Sequence, residues 1–266
     1  MIPLGQKNFP SSKDELAQAL DAALRRFVKK TGPVVDVRSR VFPYLDEIAI
    51  NLDGAQFVLP APSLPVSDTK PAFEAGLVTL SGRNVSVQGV PMDLRMEARD
   101  MLFDKGEDAN GEAVLLPHQS RDGQLVISAA QLNLEEAIEQ IAQREGHRHG
   151  VTIEQVRLAM RARGPRSLAA DVHVLARKFL LRARIDISSQ LDIDQEFVAK
   201  ISQLKCRSDG ALGSLACNAL EPFFSRITGK AFPLNSLALG ELQLRDIHLA
   251  VADTVELTID FGSASA

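Results

Sequence analysis

The sequence has no tryptophan, one tyrosine (Tyr44) and two cysteines in 266 residues. No stretch of 18 residues is free of charged side chains, so no segment reads as a membrane-crossing helix. Two cysteines are too few for a secreted disulfide scaffold, and their spacing has no metal-site character. Catalytic signatures are missing as well: there is no G-x-S-x-G, no H-E-x-x-H, no P-loop and no strand followed by G-x-G-x-x-G. A shortage of aromatic stacking platforms, with no helix-turn-helix or zinc pattern, argues against nucleic acid as a partner. Ordinary counts of 17 glycines and 13 prolines exclude collagen-like and low-complexity classes.

What is present is aliphatic. Hydrophobic residues make up 45% of the chain, enough for one large core or two smaller ones. The net charge is only −4. Residues 144–184, however, carry ten bases against three acids, a net +7, and leave the rest, with 20 bases and 31 acids, at −11. Such a block suits an anionic partner or membrane surface, or is a solvated basic face. Cys206 and Cys217 read as two buried thiols, with a bridge closing the loop Ser208–Ser214 as the alternative in an oxidising compartment. Met1–Lys7 has no apolar core of signal-peptide length and no lipidation motif is visible. The expected location is cytoplasmic or peripheral to a membrane, or periplasmic if Met1 replaces an export signal.

Ser12-Lys13-Asp14-Glu15 has the form of a capping box, and Leu16, Ala19, Leu20, Ala23, Leu24 and Phe27 follow at helical spacing. Lys29 and Lys30 suit the end of that helix and Gly32-Pro33 stops it. Period-two patterns follow over Val35–Arg38, Glu47–Leu52 and 57–59, with the turn signal Asp53-Gly54. Pro60 to Pro71 reads as a loop. Strands are expected over 77–87 and 94–99, with a turn at Gly89-Val90-Pro91, and again at 125–128. A second helix spans Leu134 to Glu145, capped by Asn133. The clearest alternation is a three-stranded antiparallel meander over 151–188, with one apolar and one arginine-bearing face. In it Phe179 falls on the apolar side. A fourth strand near 201–207 and a third helix from Leu212 to Thr228, interrupted by Pro222, precede two closing strands at 242–251 and 255–261. Three helices and about ten mostly antiparallel strands give an α+β class, with a long curved sheet wrapped around helices.

Polar constellations are few. His147 and His149 are the only close histidine pair, without a third ligand nearby, while His118, His173 and His248 are isolated. Asp192 and Asp194 form either a carboxylate pair at a strand end or the first turn of a helix before Phe197. No cofactor is called for.

The order of motifs carries a resemblance. Val126–Asn133 introduces a short helix, a meander follows, and then Leu220-Glu221-Pro222-Phe223-Phe224, Phe232-Pro233-Leu234 and Leu242–Leu249 lead to a final strand. Upstream lie Gly76–Gly82 and Val87-Gln88-Gly89-Val90-Pro91. This pattern, over residues 34–262, resembles the bacterial branch of the tubular lipid-binding (TULIP) superfamily. Within it, the chain is similar to the lipomannan elongation maturation factor family and its cyanobacterial relatives. The resemblance implies a TULIP-like sheet curved around a long helix, with an apolar cavity for lipid and no catalytic residues. It divides the chain into an N-terminal helix (1–33), a lipid-binding-type α+β domain (34–262) and a tail (263–266).

The resulting expectation is a non-enzymatic lipid-binding or lipid-transfer protein whose ligand is a phospholipid or other acyl lipid. Acyl chains would lie between Leu215, Leu220, Phe223, Phe224 and Ile227 of the third helix and Leu158, Met160, Val172, Leu181 and Ile185 of the meander. Arg157, Arg161, Arg182 and Arg184 would steer docking to an anionic membrane. The alternatives are a structural or assembly partner with a filled core, and an enzyme acting on lipid or glycan, which would need a convergent polar cluster.

Overall fold

The computed structural model describes residues 1–58, 66–234 and 242–263, apart from the side chains of residues 67, 68, 212 and 223. Among the described residues the fold is α+β, with three helices and sixteen strands in two largely antiparallel sheets of 11 and 5 strands. The strand count exceeds the expected ten because short pairing segments flank the long strands. Neither sheet closes into a barrel among the described residues. Among the described residues, no helix is long and apolar enough to cross a membrane. Two compact units divide the chain: Met1–Ser128 with Leu237–Asp246 and Thr258–Ala266, and Ala129–Ser236 with Ile247–Leu257.

In chain order the first elements are β1 (Ile2–Pro3), α1 (Lys13–Leu24), β2 (Val28–Lys29), β3 (Val35–Arg38), β4 (Tyr44–Asn51), β5 (Gln56–Phe57), β6 (Val66–Val87), β7 (Val90–Asp108), β8 (Ala113–Gln119) and β9 (Asp122–Ala130). The Ser12 hydroxyl accepts from the Glu15 N–H, as expected of a helix cap. The reciprocal bond reaches one residue further back, to the N–H of Ser11. The helix ends at Leu24, earlier than expected, because Val28 and Lys29 pair with Phe57 and Gln56 as a strand. Leu16, Ala19 and Leu20 pack against Val37, Leu45, Ile48, Phe73, Val78 and Phe103 in the larger core.

The hairpin of β6 and β7 is the spine of this unit, with strands of 22 and 19 residues. Its turn is Gln88-Gly89, both at positive φ (52° and 87°), the geometry that matches strand twist in a two-residue hairpin. Val90 and Pro91 are therefore strand residues, paired with Val87 and Ser86, and not part of the turn. Val66–Pro71, expected as loop, is also strand, whereas 59–65 lie outside the described residues. Its partner is the segment from Asp104 to Asp108, a long-range pairing that a proline-rich composition hides. Strand β4 runs parallel to β6, an exception in a mostly antiparallel sheet.

The remaining elements are α2 (Gln131–Arg148), β10 (Thr152–Gly164), β11 (Ser167–Lys178), β12 (Leu181–Ile193), β13 (Val198–Ser208), α3 (Gly210–Ile227), β14 (Ala231–Pro233), β15 (Gln243–Val251) and β16 (Thr254–Gly262). The meander is present as expected, extended by β13 and β14 into the sheet β10-β11-β12-β13-β14. Helix α2 starts before Asn133 because a tertiary contact caps it: the N–H of Gln131 donates to the Asp253 carbonyl. No helical turn forms at Asp192–Phe197. Asp192 lies within β12, one residue before its end, and Asp194 accepts the N–H of Val198 across the following turn.

Candidate functional site

The second unit is built on the apolar face of its sheet. Register places Val156, Val174 and Ile185 in one cross-strand row and Leu158, Val172, Ile187 and Cys206 in the next. Val156, Val174, Ala176 and Ile185 are buried, with Ile138 and Ala142 of α2 and Ala216 and Cys217 of α3 packed against them. Leu158, Met160 and Val172 are only half-buried.

Helix α3 is held to the strands at three points. At its start, a Cβ on Gly213 would lie 2.6 Å from that of Ser208, so only glycine permits this approach. Cys217 is disulfide-bonded to Cys206 of β13, which replaces the expected pair of thiols with the bridged alternative. At its end, Thr228 forms a bridge with Ile201, and the N–H of Gly229 donates to the Ile201 carbonyl at 2.9 Å. The helix runs unbroken through Pro222.

Between the disulfide and the Thr228 anchor a hollow of about 400 Å³ opens between α3 and β13. Leu204, Phe224 and the disulfide form its apolar wall, while Asn218, Glu221, Ser225 and Thr228 supply polar groups. Cys217, Glu221, Phe224 and Thr228 recur at spacings of four, three and four, one face of a helix. The helical spacing of that stripe is visible in the sequence, but its polar members Glu221 and Thr228 carry no hydrophobic signal. Two larger hollows occur in the first unit. They are lined mainly by charged and polar side chains, among them Lys7, Lys70, Lys105 and Glu107 in one and Asp53, Arg83, Asp93 and Arg95 in the other.

The residues expected to line a lipid site do not all meet. Phe224 lines the hollow, and Leu220 and Ile227 are half-buried on the same helix. Leu215 is exposed, and the side chain of Phe223 lies outside the described residues. Ile185 belongs to the packed core. Leu158 and Met160 sit on β10, where their N–H groups donate to Glu135 and Gln131 of α2 at 2.7 and 3.2 Å. Leu181 lies at the end of its hairpin, 61% exposed.

The opposite face carries the charges. Arg157 lies 3.6 Å from Glu135, Arg161 is paired with Asp171 at 2.6 Å, and Arg182 lies 3.5 Å from Glu154. The expected docking arginines are thus partly neutralised, apart from Arg184, which has no acidic partner among the described residues. His173 and His118, isolated in sequence, meet Asp186 and Asp104 at 2.5 and 3.2 Å. The Asp192 carboxylate accepts from Ser167, Gln190 and Ser202. Burial works against its ionisation, but these three hydrogen bonds prevail and hold its carboxyl below the usual aspartate range. Among the described residues, no group of three or more His, Cys, Asp or Glu side chains is placed to hold a metal.

No family model, curated protein or solved structure matches the chain.

Proposed function

We propose that this protein is a non-enzymatic lipid-binding or lipid-transfer protein that holds acyl chains between α3 and its sheet, in a TULIP-like arrangement of sheet around helix. One observation carries the reading: the second unit leaves most of the large apolar side chains that are exposed, and an apolar-walled hollow beside α3, without cover. Eight of the eleven exposed large hydrophobic side chains among the described residues fall there, from Leu132 to Phe232. Its hollow is in the size range of small-molecule sites and has an apolar wall with a polar rim. An alkyl chain laid against Leu204, Phe224 and the disulfide gains about 0.8 kcal/mol per methylene removed from water. The ester and headgroup oxygens then meet Asn218, Ser225 and Thr228.

The disulfide favours an oxidising compartment, in keeping with an exported protein acting at a membrane surface. A structural role with a filled core is the second reading, favoured by the tightly packed first unit. Native mass spectrometry of gently purified protein separates the two. The expected result is an adduct of lipid mass, lost in Phe224→Glu while circular dichroism is unchanged. A bare protein that takes up no fluorescent fatty acid would point to the filled core.

A further inference from the structure

The ladder between β11 and β12 closes at Lys178 and Leu181, leaving Phe179-Leu180 as a two-residue turn. Phe179, Leu180 and Leu181 are 87%, 98% and 61% exposed. This differs from the expected place of Phe179 on the buried face. The residue also has φ +53°, a region that strongly favours glycine, asparagine or aspartate over a bulky side chain. A large aromatic group is therefore kept in solvent at a position where local conformation selects against it.

The surroundings are basic. Arg177 and Lys178 precede the turn, and Arg182 and Arg184 follow it. Glu154 is shared between Arg177 and Arg182, at 3.0 and 3.5 Å. The Lys178 ammonium donates to the His149 carbonyl, which brings the C-terminal end of α2, with Arg144 and Arg148 against Glu145, beside the hairpin. Asp209, whose N–H donates to the Arg184 carbonyl, is a further acid close by. Six bases thus stand around three consecutive apolar side chains, against three acids.

From this we infer that the β11–β12 tip is a membrane anchor that inserts Phe179, Leu180 and Leu181 into the interfacial region of a bilayer bearing anionic phospholipid. The dimensions agree. Arg177 and Arg182 lie two residues back from Phe179 and Leu180, about 7 Å along extended strands. Apolar elements that bind at interfaces reach roughly 5–10 Å below the headgroups, which sets these guanidinium groups level with the phosphates. A convex tip ringed by cations is complementary to a fluid anionic surface. The inference names the surface on which the proposed lipid carrier works and rests on that reading only for its purpose, since insertion of the tip does not need the α3 hollow.

The missing tryptophan provides the test. In full-length Phe179→Trp the introduced indole is the only one in the chain, so its fluorescence reports the tip alone. Its emission is expected to shift to the blue on adding phosphatidylcholine vesicles containing phosphatidylglycerol, and to be quenched by lipids brominated high on their acyl chains. In flotation, unmodified protein binds those vesicles, Phe179→Ser/Leu180→Ser binds on the order of tenfold or more weakly, and each of Arg177→Gln and Arg182→Gln costs roughly fivefold at low salt. An unshifted emission, equal flotation of the serine variant, or indifference to phosphatidylglycerol overturns the inference. So does a dimer seen by light scattering that the serine variant abolishes, which would assign the tip to a second copy. Native mass spectra of the unmodified protein keep the two readings apart: lipid retained, with flotation indifferent to the serine substitutions, sinks the anchor alone, and lipid absent, with flotation dependent on the tip, sinks the carrier alone.

Discussion

The two units handle apolar surface in opposite ways. Among the described residues, the first buries 24 hydrophobic side chains and exposes three large ones, while the second buries 11 and exposes eight. The helices follow the same division. Helix α1 buries Leu16, Ala19, Leu20 and Ala23, whereas no residue of α2 is fully buried and its Leu132 and Ile141 are exposed. Similar alternating strands thus serve a core in one unit and a half-covered surface in the other. Alternation shows which side of a strand is apolar; it does not show what covers that side.

Core truncation separates the units most sharply. Leu16→Ala should cost about 3–5 kcal/mol, the range for a fully buried leucine, whereas Leu158→Ala, half-buried on β10, should cost under about 1.5 kcal/mol. Hydrogen exchange read separately on α1 and α2 amides is the right measurement, because two units need not unfold together. Equal losses of protection would mean that the second unit is as well packed as the first.

The disulfide comes next in size. Its loop has a sequence separation of 11, for which chain entropy gives about 2.5–3 kcal/mol. Replacing both cysteines with alanine should lower protection in α3 and β13 and leave α1 and β4 unchanged. Loss in both units would show that the bridge stabilises more than its own sheet.

The smallest effect probes one aspartate in each unit. Burial pushes the Asp21 carboxyl up, but hydrogen bonds from Arg25 and Val34 prevail and hold it below its usual value, as those from Ser167, Gln190 and Ser202 do for Asp192. A folded-state pKa below the unfolded one gives stability that is complete above about pH 4 and is lost as pH falls through the folded value. Asp21→Asn and Asp192→Asn should each cost about 1 kcal/mol at neutral pH and flatten the acid limb of their own unit. An unchanged limb would mean that other carboxylates govern acid unfolding.

Much of this architecture could be read from residues. The meander was legible because Val156–Ala162 and Ala183–Ile187 alternate apolar with polar or small side chains and Gly164-Pro165 marks a turn, and α1 because Ser12 and Glu15 mark its start. What escaped were features decided by distant partners. Pro71 looks like loop until Asp104 pairs with it, α2 is capped by the carbonyl of Asp253, and β4 lies parallel to β6 with no local sign of it. The candidate site was half legible. Phe224 stands out in the sequence as an apolar helix residue, but Leu204 acquires its meaning only when Cys206 and Cys217 bring α3 onto β13. Phe179 leaves the apolar face because the Phe179-Leu180 turn interrupts the alternation of the two strands it joins.

The borders of the five-stranded sheet have a consequence of their own. An open strand edge is a template on which further chains can add, and greasy exposed faces make such growth faster. Here β10 has its outward N–H groups at Leu158 and Met160 taken by Glu135 and Gln131, and β14 is three residues long and ends in proline. Both ends of the ladder are blocked in part. The unit with the most uncovered apolar surface thus carries built-in resistance to fibril growth, a condition any protein must meet if it is to stay dispersed while keeping its oily side available.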